Sequence, residues 1–283
     1  MTSPSGPGSI LSPSATTHLL RQLGIFPSRK LGQNFLIDGN IVRRSLEMAA
    51  IAPGDVVVEV GPGLGTLTSG LLQAGATVYA VELDSRLAAY LRGDFRASLQ
   101  PETSARFHLM EADAVDSPIA GLPADVEKFK VVANLPYAIS TPWFDAIVSG
   151  KLPQSLVLML QKEAAQRLQS APGSKDFSAF SIFLSGVYES FGNHHVSNHC
   201  FHPVPEVASI LLGLKLKAAP ILYPKEIKLL IRQIFTQRRK QLGGLCRKEP
   251  RLATWLEQAA AHGVTPLSRA EDVPLAAWEM LAK

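Results

Sequence analysis

The sequence predicts an α/β protein: a doubly wound, Rossmann-like parallel sheet followed by a small C-terminal helical domain. Three observations carry this. Short apolar strands alternate with segments of helical period through residue 160. A glycine-rich turn, Gly61-Pro62-Gly63-Leu64-Gly65, directly follows one of those strands. After Ala218-Ala219-Pro220 the pattern is helical to the end. Such a βαβ rhythm lays helices over a parallel sheet.

Taken in order, the first 28 residues are rich in Ser, Pro, Thr and Gly. They lack the basic start and apolar block of a secretory signal. Their arginines are too sparse to favour a mitochondrial transit peptide, so residues 1–16 read as a disordered tail. Val56–Val60 reads as a buried parallel strand. Leu64, Leu67, Leu71 and Leu72 then fall at helical spacing, and Gly75 ends that helix. Strands follow at 77–81, 106–110, 130–133 and 155–160, with helical patterns at 87–97 and from Lys162. Residues 177–188 are apolar at helical spacing. Strands at 191–196 and 207–216 are joined closely enough to pair antiparallel. Helices are expected at 225–239, 251–262 and 274–282.

The chain of 283 residues is long enough for a large domain, 17–219, and a small one, 220–283. Apolar residues make up 46%, enough for a full core, yet no apolar run approaches the roughly 18 residues of a membrane span. The two cysteines, Cys200 and Cys246, stand far apart in no metal-type spacing. That argues against a disulfide framework and fits a reducing cytoplasm. The net charge of +4 is uneven. Residues 1–149 carry a net −3 and residues 150–283 a net +7. The window 215–251 alone holds 11 bases against Glu226 and Glu249. A concentrated basic segment suggests a polyanionic partner, with Arg238, Arg239 and Lys240 as phosphate contacts. A solvated helix end is the plainer alternative.

The glycine turn departs from the dinucleotide fingerprint, because Thr66 stands where a third spaced glycine belongs. Glycine still allows a ligand to approach bare backbone, and the following helix start favours an anionic group such as a carboxylate. Glu82 ends the next strand, 21 residues beyond Gly61, where an acid can accept both hydroxyls of a ribose. Asp113 follows the third strand and can accept from an adenine amino group; a helix N-cap is its bland reading. Glu59 reads as a supporting partner of the loop backbone.

Asn134-Leu135-Pro136-Tyr137 follows the fourth strand, 73 residues after Gly61. An aromatic amine is a poor nucleophile because its lone pair is delocalised into the ring. The Asn134 side-chain carbonyl and the Leu135 backbone carbonyl can accept its two N–H groups and localise that pair. Pro136 stiffens the loop and keeps Leu135 extended. Tyr137 offers a ring for the base to stack on. With the cofactor constellation, this points to methyl transfer from S-adenosylmethionine (SAM) to an exocyclic amine, that of adenine first among candidates.

The chain resembles the KsgA/RsmA rRNA adenine dimethyltransferases over about residues 17–242. The resemblance rests on residues 31–38 (LGQNFLID), residues 59–68 (EVGPGLGTLT), Glu82-Leu83-Asp84, Asn134-Leu135-Pro136-Tyr137 with Ser140, and Leu160-Gln161-Lys162-Glu163. It implies a seven-stranded SAM-binding domain, a small helical domain, and dimethylation of two adjacent adenosines in a hairpin loop near the 3′ end of 16S rRNA. It implies a pre-assembled small-subunit (30S) particle as partner, a cytoplasmic monomer, no membrane and no metal. It also implies that Asn34 and Leu36 contact SAM, that Gly61 lies along the methionine moiety, that Glu82 holds the ribose and Asp113 the adenine, and that Asn134 serves both cofactor and target.

Some residues depart from the family pattern. Glu206 and Ala208 replace a lysine and an aspartate, Phe177-Ser178-Ala179-Phe180-Ser181 replaces a Tyr-Gly-containing segment, and Gly243-Gly244 stand where an Asn-containing stretch is usual. These positions bear on RNA contact. His194, His195, His199, Cys200 and His202 match no zinc spacing. Two alternatives stay open: an Erm-type methyltransferase acting on large-subunit rRNA, and a non-catalytic ribosome-assembly or transcription factor on the same fold. Leu135 favours the small subunit over the Erm type, which usually carries isoleucine there.

Overall fold

The computed structural model describes residues 12–27 and 33–282. Residues 1–11 of the expected tail, and Arg29, Lys30, Leu31 and Gly32, lie outside the described residues. The strands are β1 (Phe35–Leu36), β2 (Val56–Val60), β3 (Thr77–Glu82), β4 (Phe107–Glu111), β5 (Lys130–Asn134), β6 (Ser155–Gln161), β7 (Tyr188–Val196), β8 (Phe201–His202) and β9 (Ser209–Leu216). The helices begin with α1 (Pro13–Gln22), α2 (Gly39–Met48), α3 (Thr66–Gln73), α4 (Ser85–Tyr90) and α5 (Pro101–Ser104). They continue with α6 (Ser140–Ile147), α7 (Lys162–Leu168), α8 (Ala179–Val187), α9 (Lys225–Thr236), α10 (Leu242–Cys246), α11 (Pro250–Ala259) and α12 (Leu275–Glu279).

Seven strands form one mixed sheet in the order β4-β3-β2-β5-β6-β9-β7. Pairing is parallel from β4 to β6, and β9 runs antiparallel to β6. Val57, Val58, Val131, Val132, Val157 and Leu158 are fully buried. Helices on both faces of a parallel sheet explain why these strands read as continuous apolar runs. From β2 the chain moves outward through β3 and β4, then returns to β5 on the other side of β2. The strand order therefore reverses between β2 and β5, and a crevice opens there at the carboxyl ends of the strands.

Several expectations change. Residues 13–16, assigned to the tail, begin α1; Ser12 caps it by accepting from the Ala15 N–H at 3.2 Å, and Pro13 needs no donor at the first helical position. The helix expected at 87–97 starts at Ser85, capped by Asp84, and passes through a π-helical turn, Leu91–Phe95. The pattern search missed α2, which Asp38 caps through bonds to the Asn40 and Ile41 N–H groups. It also missed the two-residue ladder of β1 and β8, Phe35 opposite His202 and Leu36 opposite Phe201. Two residues are too few for a period.

The compact units are drawn differently from the expected division at residue 219. Of the described residues, one takes those up to 164 and 190–215; the other takes 165–189 and those from 216 on. Rings explain the second grouping. Phe177 meets Phe235 edge-on at 6.0 Å, Phe183 lies 5.5 Å from Tyr223, and Trp255 stacks on Trp278 at 4.7 Å. The aromatic core of the helical unit thus takes residues from either side of β9. Arg232 and Lys228 of α9 lie over the Phe183 ring as well.

Candidate active site

A cavity of about 270 Å³ lies at the carboxyl ends of β2, β3, β4 and β5. Gly61, Glu82, Asp113 and Asn134 all line it, as do Asn34 and Leu36. The four strand ends bring the first set together because the parallel register aligns them: Val60 opposite Val81, and Glu82 opposite Glu111. Asn34 and Leu36 arrive by another route: Leu36 ends the short β1 held by β8, and Asn34 directly precedes it.

Gly61 and Gly63 both have positive φ, 68° and 59°. A Cβ at Gly61 would stand 3.2 Å from Pro136 Cγ, and one at Gly63 would stand 3.1 Å from the Phe35 ring. The glycine loop is therefore packed directly against the tetrapeptide on one side and the N-terminal segment on the other. Side chains at either position would be strained in backbone and crowded in space.

Glu82 shapes this loop as well as lining the cavity. One carboxyl oxygen accepts the Gly63 N–H at 3.1 Å, and the other accepts the Asp84 N–H at 3.0 Å. Each oxygen keeps a lone pair for a ligand hydroxyl. Burial raises the Glu82 pKa, against the pull of those backbone donors. Glu59 is more deeply buried, at 1% exposure, and accepts the Thr68 hydroxyl at 2.7 Å. Thr68 lies in the first turn of α3, whose N-cap, Gly65, has no side chain. Glu59 thus reaches the start of this helix from the neighbouring strand, not the loop backbone as expected. Burial, with Glu82 nearby, pushes its pKa up to about 8.

Asp113 accepts the Val115 N–H at 2.7 Å and also lines the cavity. Its turn-capping and ligand readings are compatible. Asp84 is a site residue that sequence reasoning quoted without assigning. Besides capping α4, it accepts from the Gln33 amide at 3.2 Å, across the cavity. An aspartate two residues past the strand-end acid, followed by a helix start, was the available signal.

The tetrapeptide leaves β5 at Asn134. The Asn134 Nδ2 donates to the Asn34 backbone carbonyl at 2.9 Å, which orients the amide and assigns its oxygen as the acceptor. Leu135 is fully buried, an anchor by its side chain, and Pro136 packs on Gly61. The backbone of Tyr137 opens a short 3-10 turn, Tyr137–Ile139, and its side chain lies outside the described set.

The cavity fits SAM. Among its described lining residues are four carboxyl groups, Glu59, Glu82, Asp84 and Asp113, and no Lys, Arg or His. Glu59, with its pKa pushed up to about 8, adds little charge at neutral pH, and the other carboxyl groups complement a ligand bearing sulfonium and ammonium charges. The start of α3 could offer backbone N–H groups to a carboxylate.

The proposed RNA contacts sit apart in their chemistry. Arg238 Nε pairs with Glu271 and its Nη2 donates to the Ser174 carbonyl at 2.9 Å, so this guanidinium is already engaged. Arg239 and Lys240 are exposed, and Lys240 Nζ donates to the Gln237 amide oxygen at 2.8 Å. In the histidine-rich segment, Cys200 donates to Asp38 at 3.5 Å and His202 shares a hydrogen bond with Thr17 at 3.0 Å.

Comparison with known proteins identifies the family. The Ribosomal RNA small subunit methyltransferase A of Opitutus terrae is 54% identical over 274 residues, covering 96% of this chain and 98% of that protein. The protein of the same name from Protochlamydia amoebophila is 41% identical over 235 residues, covering 82% of each. A solved dimethyladenosine transferase from Plasmodium falciparum aligns with a TM-score of 0.70 at 25% identity, covering 87% of this chain and 95% of that one. A family profile described as Ribosomal RNA adenine dimethylase matches residues 27–283. Motif, cavity and near full-length similarity coincide: the chain belongs to the ribosomal RNA adenine dimethylase family.

Proposed function

We propose that this protein dimethylates two adjacent adenosines in a hairpin loop near the 3′ end of small-subunit rRNA. The coarser activity, SAM-dependent adenine dimethylation of small-subunit rRNA, is that of its family. The observation that carries the reading at residue level is the Asn134–Asn34 hydrogen bond. It holds the Asn134 amide with the oxygen available to an amine and the nitrogen tied to backbone.

SAM, when bound, supplies an electrophilic methyl group on a positively charged sulfur. The chain does the rest by positioning. Glu82 would hold the ribose, Asp113 the adenine, and Asn34 and Leu36 the cofactor from the N-terminal segment, with Gly61 along the methionine moiety. Asn134 and the Leu135 carbonyl would accept the two N–H groups of the target amine and aim its lone pair. Pro136 keeps that loop stiff, and Tyr137 would stack on the extruded base. The amine needs no general base before attack, so none is assigned.

The substrate is read as a pre-assembled 30S particle, met by a monomer. An rRNA substrate is encountered where ribosomes are built, which supports a cytoplasmic protein. No helix among the described residues is long and apolar enough to cross a membrane. Arg239 and Lys240, with the other exposed bases of residues 215–251, would meet phosphates.

The test is methyl transfer from labelled SAM to small subunits lacking the modification, followed by nucleoside analysis. Dimethyladenosine at two neighbouring positions is expected. Labelling of large-subunit particles in preference would overturn the reading in favour of an Erm-type activity.

A further inference from the structure

A second depression, of about 510 Å³, opens beside the cofactor cavity and shares Gln33, Asn34 and Ala138 with it. Its other walls are Pro27, Pro203, Val204, Pro205 and Val207, with Gln161 and Glu206. Val204 is 53% exposed and Val207 37%. Phe26, the residue before Pro27, is 81% exposed. That ring stands on an anchored turn. Ile25 is buried and donates to the Leu20 carbonyl at 2.8 Å, and Arg86 donates to the Gly24 carbonyl. An anchored backbone that leaves a phenylalanine in water forfeits apolar burial, and a partner would recover it.

The chemistry of the depression selects the partner. Among the described residues no Lys, Arg or His lines it and one exposed carboxylate, Glu206, does, which repels a phosphate and can accept from the amino group of a base. Proline and valine walls with the amides of Gln33 and Gln161 suit a flat, polar-edged base. In the sequence Arg21, Arg29 and Lys30 flank Phe26, the last two outside the described residues, and no acid comes before Asp38. An aromatic interleaved with bases is the composition that binds single-stranded nucleic acid, by stacking and backbone attraction. The site next door is assigned to an extruded adenine at Asn134. A base extruded there leaves its chain neighbour unstacked and close by.

We propose that this depression, with the adjoining Phe26 as a stacking platform, receives the nucleobase next to the target adenine. The inference rests on the rRNA-methylation reading and deepens it. It gives one adenine a seat while its neighbour reacts.

The test uses the full chain and a synthetic hairpin RNA with two adjacent loop adenines. One set carries 2-aminopurine beside the target adenine, and another an abasic site there. Wild type should quench the 2-aminopurine on binding. F26A should bind the intact hairpin about tenfold more weakly, with less quenching, and F26W should restore both. SAM affinity should be unchanged in either variant. On the abasic hairpin, wild type should fall to the level of F26A, and F26A should lose nothing more. V204Q should give a smaller loss in the same direction.

Binding and quenching by F26A equal to wild type would overturn the inference. So would losses from F26A and the abasic site that simply add, since Phe26 would then contact something else, a different RNA segment or a protein. Wild type that binds the hairpin without quenching the 2-aminopurine counts against it equally. The underlying reading fails separately, if wild type methylates no small-subunit rRNA at all.

Discussion

The cofactor cavity and the basic stretch of residues 215–251 treat charge in opposite ways. In the cavity, carboxyl groups are drawn in and tied to named donors. Glu82 accepts from Gly63 and Asp84, Glu59 from Thr68, and Asp113 from Val115. In the basic stretch most cations stand in solvent, Lys225, Arg239, Lys240, Arg247, Lys248 and Arg251 among them. Two exceptions are Lys228, buried over Phe183, and Arg238, held by Glu271 and Ser174. A buried carboxyl is tolerated only where donors meet it, so each one marks a defined geometry. An exposed base needs no such partner, and a count of bases overstates how many are free for a phosphate.

The strongest break of this contrast is Asn134→Ala. Removing a preorganised acceptor at the reacting amine should lower single-turnover methyl transfer by about 100-fold or more, with RNA binding little changed. A wild-type rate would show that the tetrapeptide only shapes the loop.

Next is Glu82→Ala, which should weaken SAM binding by about 1–3 kcal/mol in calorimetry, because ligand hydroxyls and the Gly63 and Asp84 N–H groups lose their acceptor. Glu82→Gln sharpens it. Both carboxyl oxygens face backbone donors, so an amide nitrogen must face one of them. The glutamine variant should therefore also bind SAM more weakly; unchanged affinity would detach Glu82 from the loop.

Glu59 offers a pH test. Its folded pKa, about 8, exceeds the ordinary 4.5. Between these values the folded state keeps a proton that the unfolded state gives up. The stabilisation from this group is therefore full below the ordinary value and is lost as pH rises through the folded one. Unfolding by urea should show about 1 kcal/mol less stability at pH 7 than at pH 6 from this group, and Glu59→Gln should remove that slope. An equal slope in the variant would mean that other groups, Glu82 first, carry the dependence.

The smallest effects lie in the basic stretch. Neutralising Arg238, Arg239 and Lys240 together should flatten the log–log salt slope of RNA binding by nearer two than three, at about one per free contact. Arg238→Ala alone should leave that slope unchanged and cost below about 1 kcal/mol of stability, since its pair with Glu271 is still about 30% exposed. A slope reduced by Arg238→Ala alone would return this residue to the RNA surface.

By itself the sequence determined the parallel strands, the glycine turn, the strand-end acids and the tetrapeptide. Each is a local pattern: an apolar run, a backbone needing glycine, a polar residue at a strand end. Parallel register then carries local patterns to a common place, which is why Gly61, Glu82, Asp113 and Asn134 were legible together. Tertiary structure alone decided how Asn34 and Leu36 reach the cavity, through a two-residue ladder with Phe201 and His202. It decided that Asn134 is oriented by a carbonyl 100 residues earlier, and that Phe177 and Phe183 join the aromatic core of the helical unit. It decided too that Arg238 is engaged by Glu271. These pairings join segments far apart in the chain, and neither partner carries a periodicity or propensity that names the other. Only packing, in which each buried polar group and each ring must find a neighbour, selects them.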